Sequence, residues 1–495
     1  MARDINYTKR TLYNTITVFA FLIIAAFCAY LFRIILARNL TLAEYGLFFA
    51  LVAFAGILNI FRDLGLSYAT TYFVPRYLAK KDFRKIKSLI SRIFRIEIIS
   101  TAIVAILFIV LSDFLVTNYF HSGTMLILSL FAVSFFLNAM ELNFQLFFNA
   151  FQRQFLYSLH NMLRNLLVLI FAAIAFMFFK GVIVPIAAYM ITYIILLILF
   201  SIIFFRKVFP DYFSTKKSYI STKSLFAFGF SASLSSIGFL LISSMDTLLL
   251  TYFRTLEEVG LYNGVLPIVS IILYIPYAIS SVITPMSSEL FAKKRMDTLR
   301  MVAEKMTRFT LVALIPLVGL TITYPEFILA WFFGSAFAAA AGALVILSIG
   351  IIFYALSQIS MSIIFASIGP KKNILIYLYG AVANLILNIL LVPKYGIIGA
   401  AIATSISYFI IFCLSQYYLS RVLSWRPSIG KYALSILLGV VFIALVSYLK
   451  TLFIMPVLLQ IILTIGIAGA VYICMLFLFR IVTIDEIKEL KSKIF

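Results

Sequence analysis

Acidic residues are scarce in this 495-residue chain: 18 Asp and Glu stand against 40 Lys and Arg, for a formal net charge of +22. Charge of either sign is thin. Charged residues make up 12% of the chain and hydrophobic ones 64%, against about 25% charged in a soluble domain, which excludes an ordinary soluble globular protein. Only two histidines occur, His121 and His160, and only three cysteines. Cys28, Cys413 and Cys474 all lie inside apolar runs without metal-ligand spacing, so neither a metal centre nor a disulfide framework is expected. No glycine-rich Walker loop is present, which argues against ATP bound within this chain as an energy source. Long polar stretches are also missing. The longest, about 206–223, leaves no room for a soluble domain between apolar runs. With no nucleophile–base or paired acid/base constellation in view, the chain is not expected to be an enzyme.

What fills the sequence instead is a series of apolar runs of roughly 18–25 residues, each long enough to cross a bilayer core. They fall at about 13–37, 44–63, 89–112, 123–148, 155–179, 182–205, 224–250, 260–288, 306–330, 337–366, 373–392, 395–419, 430–449 and 455–480. The first is too long for a signal-peptide core and is read as a permanent span. The basic residues sit in alternate loops rather than in one basic domain, which excludes nucleic acid as a partner. One set of loops, with its flanks, holds about 32 of the 40, including Lys80, Lys81, Arg84, Lys85, Lys87, Lys216, Lys217, Lys293, Lys294 and Arg295. The other holds only Arg38, Lys180, Arg254, Lys394 and Lys450. This asymmetry predicts a multi-pass protein of the plasma membrane with both termini in the cytoplasm, whose basic inner face attracts anionic membrane lipids.

The chain repeats itself. Thr41-Leu42-Ala43-Glu44-Tyr45-Gly46-Leu47-Phe48 returns about 214 residues later as Thr255-Leu256-Glu257-Glu258-Val259-Gly260-Leu261-Tyr262. Leu78-Ala79-Lys80-Lys81 returns as Phe291-Ala292-Lys293-Lys294, and Gly181-Val182-Ile183 as Gly396-Ile397-Ile398. Such an offset spans six crossings, an even number, so the two copies face the same way. The expected fold is an all-α integral membrane protein of 14 transmembrane helices. Two parallel-repeat six-helix lobes, 1–210 and 211–425, surround a central cavity, and 426–495 adds two C-terminal helices and a cytoplasmic tail. Pro267, Pro276 and Pro285 in the eighth run each remove an intrahelical hydrogen bond and mark a candidate hinge.

Ionisable groups inside a bilayer cost at least about 2.5–3.5 kcal/mol on insertion scales, so they are candidate functional residues. In the fourth run Asn138, Glu141, Gln145 and Asn149 share one helix face; in the fifth His160, Asn161, Arg164 and Asn165 do the same. Asn59, Arg62 and Asp63 cluster in the second run and Glu97 lies in the third. Two readings are open. Pairs such as Arg164–Glu141 and Arg62–Glu97 can hold the lobe together, or Arg62, Arg164 and Arg33 can form a cationic cavity for an anionic head group, to which guanidinium binds bidentately. Arg33 and Asp246 fall near outer ends of their runs, where a side chain can snorkel. The second half carries mostly neutral stripes, Ser231, Ser235 and Ser243, Tyr354, Ser357 and Gln358, and Asn384 and Asn388, which suit sugar hydroxyls.

Leu36-Ala37-Arg38-Asn39-Leu40-Thr41-Leu42-Ala43-Glu44-Tyr45-Gly46-Leu47 followed by Asp63-Leu64-Gly65-Leu66 resembles the first hairpin of polysaccharide-biosynthesis flippases. Asp246, Glu258-Val259-Gly260-Leu261-Tyr262, Gly369-Pro370-Lys371-Lys372 and Tyr395-Gly396-Ile397-Ile398-Gly399-Ala400-Ala401 extend the resemblance over essentially the whole chain. It implies a Wzx-type oligosaccharide flippase of the multidrug/oligosaccharidyl-lipid/polysaccharide exporter superfamily. Such a protein moves a polyprenyl- or dolichyl-linked oligosaccharide outward by alternating access through a cationic cavity. It would act alongside glycan polymerase or transferase machinery, with no cofactor beyond a coupling ion that stays unassigned. The alternatives are a cation-coupled multidrug exporter and a peptidoglycan-precursor flippase of the same superfamily.

Overall fold

The computed structural model describes the backbone of residues 2–424, 429–483 and 486; side chains are described for the same residues except 2–16, 224, 230–232, 234–237, 239–241 and 429. Ser231 and Ser235 lie outside the described side chains. Among the described residues every regular element is helical. The helices are α1 (Ala2–Asn39), α2 (Leu42–Asp63), α3 (Leu66–Ala79), α4 (Phe83–Val110), α5 (Ser112–Leu115), α6 (Met125–Ala150), α7 (Gln154–Phe176), α8 (Ile183–Ile203), α9 (Thr222–Phe253) and α10 (Leu256–Ile272). They continue with α11 (Tyr274–Ala292), α12 (Met296–Thr323), α13 (Pro325–Phe333), α14 (Ala341–Ile368), α15 (Lys371–Leu423), α16 (Ile429–Leu452) and α17 (Val457–Leu478).

Among the described residues, 11 helices are long and apolar enough to cross a membrane, or 12 with α10 and α11 taken as one span bent by 42°. The bend falls at Leu273, between Pro267 and Pro276. Pro276 has no N–H to return to the preceding turn, so the ladder breaks where the spacing predicts. α15 spans 53 residues, more than one bilayer core needs, and folds back on itself: Asn384 Nδ2 donates to Thr404 Oγ1 at 2.9 Å. It is interrupted at Gly396 (φ 55°, ψ −131°), where the apolar runs 373–392 and 395–419 meet. Outward-facing Ile99, Ile103, Ile106 and Val110 on α4 are more than half exposed, a stripe that suits lipid contact in a multi-pass protein.

The chain divides into two compact units, Met1–Leu240 with Thr255–Gly260, and Leu241–Arg254 with Leu261–Phe495. The core of the first is aromatic: Phe144, Phe147, Phe148, Phe200 and Phe204 pack with ring centroids 5.4–6.2 Å apart. Each such pair adds roughly 0.5–1.5 kcal/mol beyond area burial. The core of the second is aliphatic, built from Ile283, Leu299, Ile359, Ile363, Ile376 and Ile411 among others.

The repeated segments are chain punctuation. Thr41 caps α2: Glu44 N donates to its Oγ1 at 3.2 Å, and Thr41 N donates to Glu44 Oε2 at 2.9 Å, a reciprocal capping box. In the second copy Glu258 N donates to Thr255 Oγ1 at 3.4 Å. Lys81 closes α3 at φ 53°, and its counterpart Lys294 closes α11 at φ 55°. Gly181 and Gly396 also match, at φ 94° and 55°. The two octets meet within the first unit. A Cβ on Gly46 would lie 1.8 Å from Leu256 O, and one on Gly260 would lie 2.3 Å from Leu42 O. The backbones of α2 and the first turn of α10 therefore touch directly, which only glycine permits.

Candidate functional site

α6 carries two polar faces. On one, Glu141 Oε1 lies 2.9 Å from His160 Nε2 on α7, with both side chains fully shielded and the imidazole 4.6 Å, ring to ring, from Phe200. On the other, Asn143 Nδ2 donates to Glu97 Oε2 on α4 at 2.6 Å. Glu97 is 1% exposed and also takes Arg62 NH1 from α2 at 3.2 Å, while Arg62 Nε donates to Asn59 Oδ1 at 3.0 Å. Ser100 Oγ closes the group on Arg62 O at 3.0 Å. The Arg62–Glu97 pairing expected from sequence is thus present. A buried carboxylate with a guanidinium and an amide on it is satisfied, and removing one partner is costly.

The expected Arg164–Glu141 pair does not form. His160 takes Glu141 instead, its imidazole packed against Phe200 where α6 and α7 meet. Arg164, one turn further on, is half-buried and donates to Asn161 Oδ1 at 3.1 Å. Among the described residues no carboxylate lies within salt-bridge distance of Arg164. Its charge acts on Tyr189 and Tyr193 of α8. The charge of Arg33 on α1 also acts on Tyr189, and its guanidinium lies 4.4 Å from the Phe49 ring centroid. Asn138 lies beside Tyr193. Arg33, Arg164, Asn161, Asn138, Tyr189 and Tyr193 therefore form one polar region of the first unit, in which the guanidiniums face phenols and amides. Gln145 is half-buried on the same helix as Asn138.

Asp63 is a turn residue rather than a lining one. Its Oδ1 accepts from Ser67 N at 3.0 Å and from Ser67 Oγ, bridging Leu64 and Gly65, both with positive φ, into α3. Asp246 does not snorkel. It is 5% exposed, and Asn388 Nδ2 (2.7 Å), Asn384 Nδ2 (3.3 Å), the Thr404 hydroxyl and the Tyr262 hydroxyl all donate to its carboxylate. Asn384 and Asn388 thus serve Asp246, not sugar hydroxyls. Their Oδ1 atoms are buried without a partner. A half-turn of each amide, which leaves the side-chain shape unchanged, would set two carbonyl oxygens beside the carboxylate and the Thr404 oxygen. That all-oxygen set with one negative charge fits a monovalent cation. Among the described residues no cluster of three His, Cys, Asp or Glu could hold a metal ion.

The second unit also holds an apolar groove of about 660 Å³ between α12, α14, α15 and α16, walled by Leu311, Ile315, Val318, Phe353, Leu356 and Ile443 among others.

The sequence profile described as polysaccharide biosynthesis protein matches residues 11–291. An uncharacterized membrane protein of Methanocaldococcus jannaschii is 32% identical over 487 residues, 95% of this chain and 96% of that protein. A probable low-salt glycan biosynthesis flippase of Haloferax volcanii is 29% identical over 209 residues, 42% of this chain and 44% of that protein. Among solved structures, the lipid II flippase MurJ in an inward closed conformation superposes with a TM-score of 0.70 at 17% identity, over 94% of this chain and 100% of that one. That likeness assigns the fold.

Proposed function

Because this chain belongs to the polysaccharide biosynthesis protein family, we propose that it is a flippase for a lipid-linked oligosaccharide, carried on a polyprenyl or dolichyl phosphate from the cytoplasmic to the outer leaflet of the plasma membrane by alternating access. The observation that carries this reading is Arg164: a half-buried guanidinium inside a span, held by an amide and facing phenols, with its expected carboxylate taken by His160. A permanent charge so placed awaits an anion, and a phosphate or pyrophosphate matches its fork of donors. Arg33 supplies a second positive group. Arg62, already committed to Glu97, holds the scaffold. The apolar groove of the second unit suits an isoprenoid tail. Asp246 with Asn384, Asn388 and Thr404 is the place for a coupling cation. On this reading the 14-span, two-lobe arrangement with Pro267, Pro276 and Pro285 as hinge follows the sequence expectation.

A cation-coupled drug exporter would offer carboxylates to its cargo. Glu97, Glu141, Asp63 and Asp246 each already face a partner, which disfavours it.

The test is Arg164→Ala in cells, with lipid-linked glycan scored on the outer surface and protein level by immunoblot. Export should fall at least tenfold, about 1.4 kcal/mol of lost substrate interaction, at unchanged protein level. Export at the wild-type rate would exclude Arg164 as the anion-binding residue.

A further inference from the structure

The turn between α3 and α4 forms one wall of a pocket of about 650 Å³, lined by Lys80, Lys81, Asp82, Phe83 and Arg84 and, opposite, by Ser214, Thr215 and Lys216. Four cations face one acid. That acid is occupied: Asp82 Oδ1 accepts from Lys85 N at 3.1 Å as the cap of α4, and its Oδ2 pairs with Lys85 Nζ at 3.1 Å. Among the described residues Lys80, Lys81, Arg84 and Lys216 have no acidic partner.

The opposite wall is held in place. Lys87 Nζ donates to Phe213 O (3.1 Å) and Thr215 O (2.7 Å), Ser218 N donates to Ser88 Oγ (2.7 Å), and Arg92 donates to Ile220 O and to Thr222 Oγ1. These bonds strap the segment after α8 along α4, so the pocket is preformed rather than a chance gap between loops.

The internal repeat provides a control. The matching turn of the second copy is Lys293-Lys294-Arg295, and there Lys293 pairs with Glu289 and Arg300 with Asp297. The positions equivalent to Glu289 and Asp297 in the first copy are Arg76 and Arg84. Among the described residues, the second copy of the turn pairs two of its four cations with acids, whereas the first pairs only Lys85 and leaves Lys80, Lys81 and Arg84 without one.

The strap also edges a second, apolar cleft of about 360 Å³ further along α4, walled by Ile90, Phe94, Ile98, Phe144, Phe205 and Tyr212 among others. Arg84 and Phe94 are ten residues apart on the helix, about 15 Å. An acyl chain attached to a phosphate in the pocket is long enough to reach that cleft.

We propose that the Lys80–Lys81–Arg84–Lys216 pocket binds the phosphate group of an anionic amphiphile whose chain follows the apolar cleft along α4. This site is separate from the Arg164 region and does not rest on transport. Phosphate chemistry could also come from a free anion, so the test carries both sources.

The full-length protein is reconstituted in phosphatidylcholine nanodiscs, in the same discs with phosphatidylglycerol added, and in plain discs with inorganic pyrophosphate. Lysine acetylation is followed by mass spectrometry. Labelling of Lys80, Lys81 and Lys216 should slow at least fivefold with phosphatidylglycerol, while Lys293 and Lys294 change less than twofold. Slowing by pyrophosphate in plain discs would assign the same pocket to a free phosphate group. In parallel, Lys81→Gln/Arg84→Gln/Lys216→Gln should lose co-purifying phosphatidylglycerol at least fivefold relative to Lys293→Gln/Lys294→Gln. Uniform protection of both turns, no protection by either probe, or equal lipid loss in the two variants would overturn the proposal.

Discussion

Glu141 meets His160 across the α6–α7 contact at 2.9 Å, at a depth where neither residue touches solvent. His160→Ala would leave the carboxylate buried and alone. The expected cost is about 3 kcal/mol, read as a lowered unfolding midpoint in detergent. Adding Glu141→Leu should recover most of it, because a matched apolar pair needs no partner. Two single-variant penalties that simply add would show that the residues do not interact.

The α2–α10 crossing predicts unequal effects for one chemical change. Gly46→Ala places a methyl 1.8 Å from Leu256 O, against backbone that cannot rotate away, so the helices must part. A destabilisation above about 2 kcal/mol is expected. Gly466→Ala in α17, where nothing lies within 4 Å, should stabilise slightly through helix propensity. Thermal unfolding of the two variants side by side decides it.

Asp246 should make stability depend on a monovalent cation. Replacing potassium by sodium or lithium at constant ionic strength is expected to shift the melting temperature of the wild type by a few degrees, as mass action on the native state requires. Asp246→Asn should abolish the shift. A wild-type protein insensitive to all three ions would remove the cation reading and leave Asp246 as a hydrogen-bond hub only.

At the basic turn, the Lys85 backbone N–H holds the Asp82 carboxyl below its usual range, with the Lys85 side chain assisting. A lowered native value means the carboxylate stabilises the cap above about pH 4, and this contribution fades as pH falls through the lower native value. Asp82→Ala should cost about 1 kcal/mol at neutral pH, and the difference from wild type should shrink on acidification. Unfolding curves across that range, with Asp82→Asn as the neutral cap, test the sign.

Much of this was readable in the chain. Apolar runs mark helices because bilayer thickness sets their length, although 11 or 12 helices among the described residues pass as spans against the 14 expected; the doubled motifs mark turns because positive φ restricts which residues can serve. Pairing was harder. A stripe such as Asn138–Glu141–Gln145 marks a face of one helix and says nothing about which residue opposes it, so the sequence alone does not choose between Arg164 and His160 as the partner of Glu141. Asn143 falls outside that stripe: it lies two residues from Glu141, about 200° around the helix, on the face toward α4. For Asp246, position near the end of a run does not report distance from water: the residue is 5% exposed. Three of its four donors come from α15, 138 to 158 residues further along the chain, and the fourth is Tyr262 of the neighbouring α10.

The contact between Gly46 and Gly260 has the form of a homodimer interface written into one chain. Gly46 lies against Leu256 and Gly260 against Leu42, so each half of the octet repeat plays both parts, as in an isologous contact. A substitution at either glycine of this chain therefore strikes one side of the contact, where in two identical copies it would strike both.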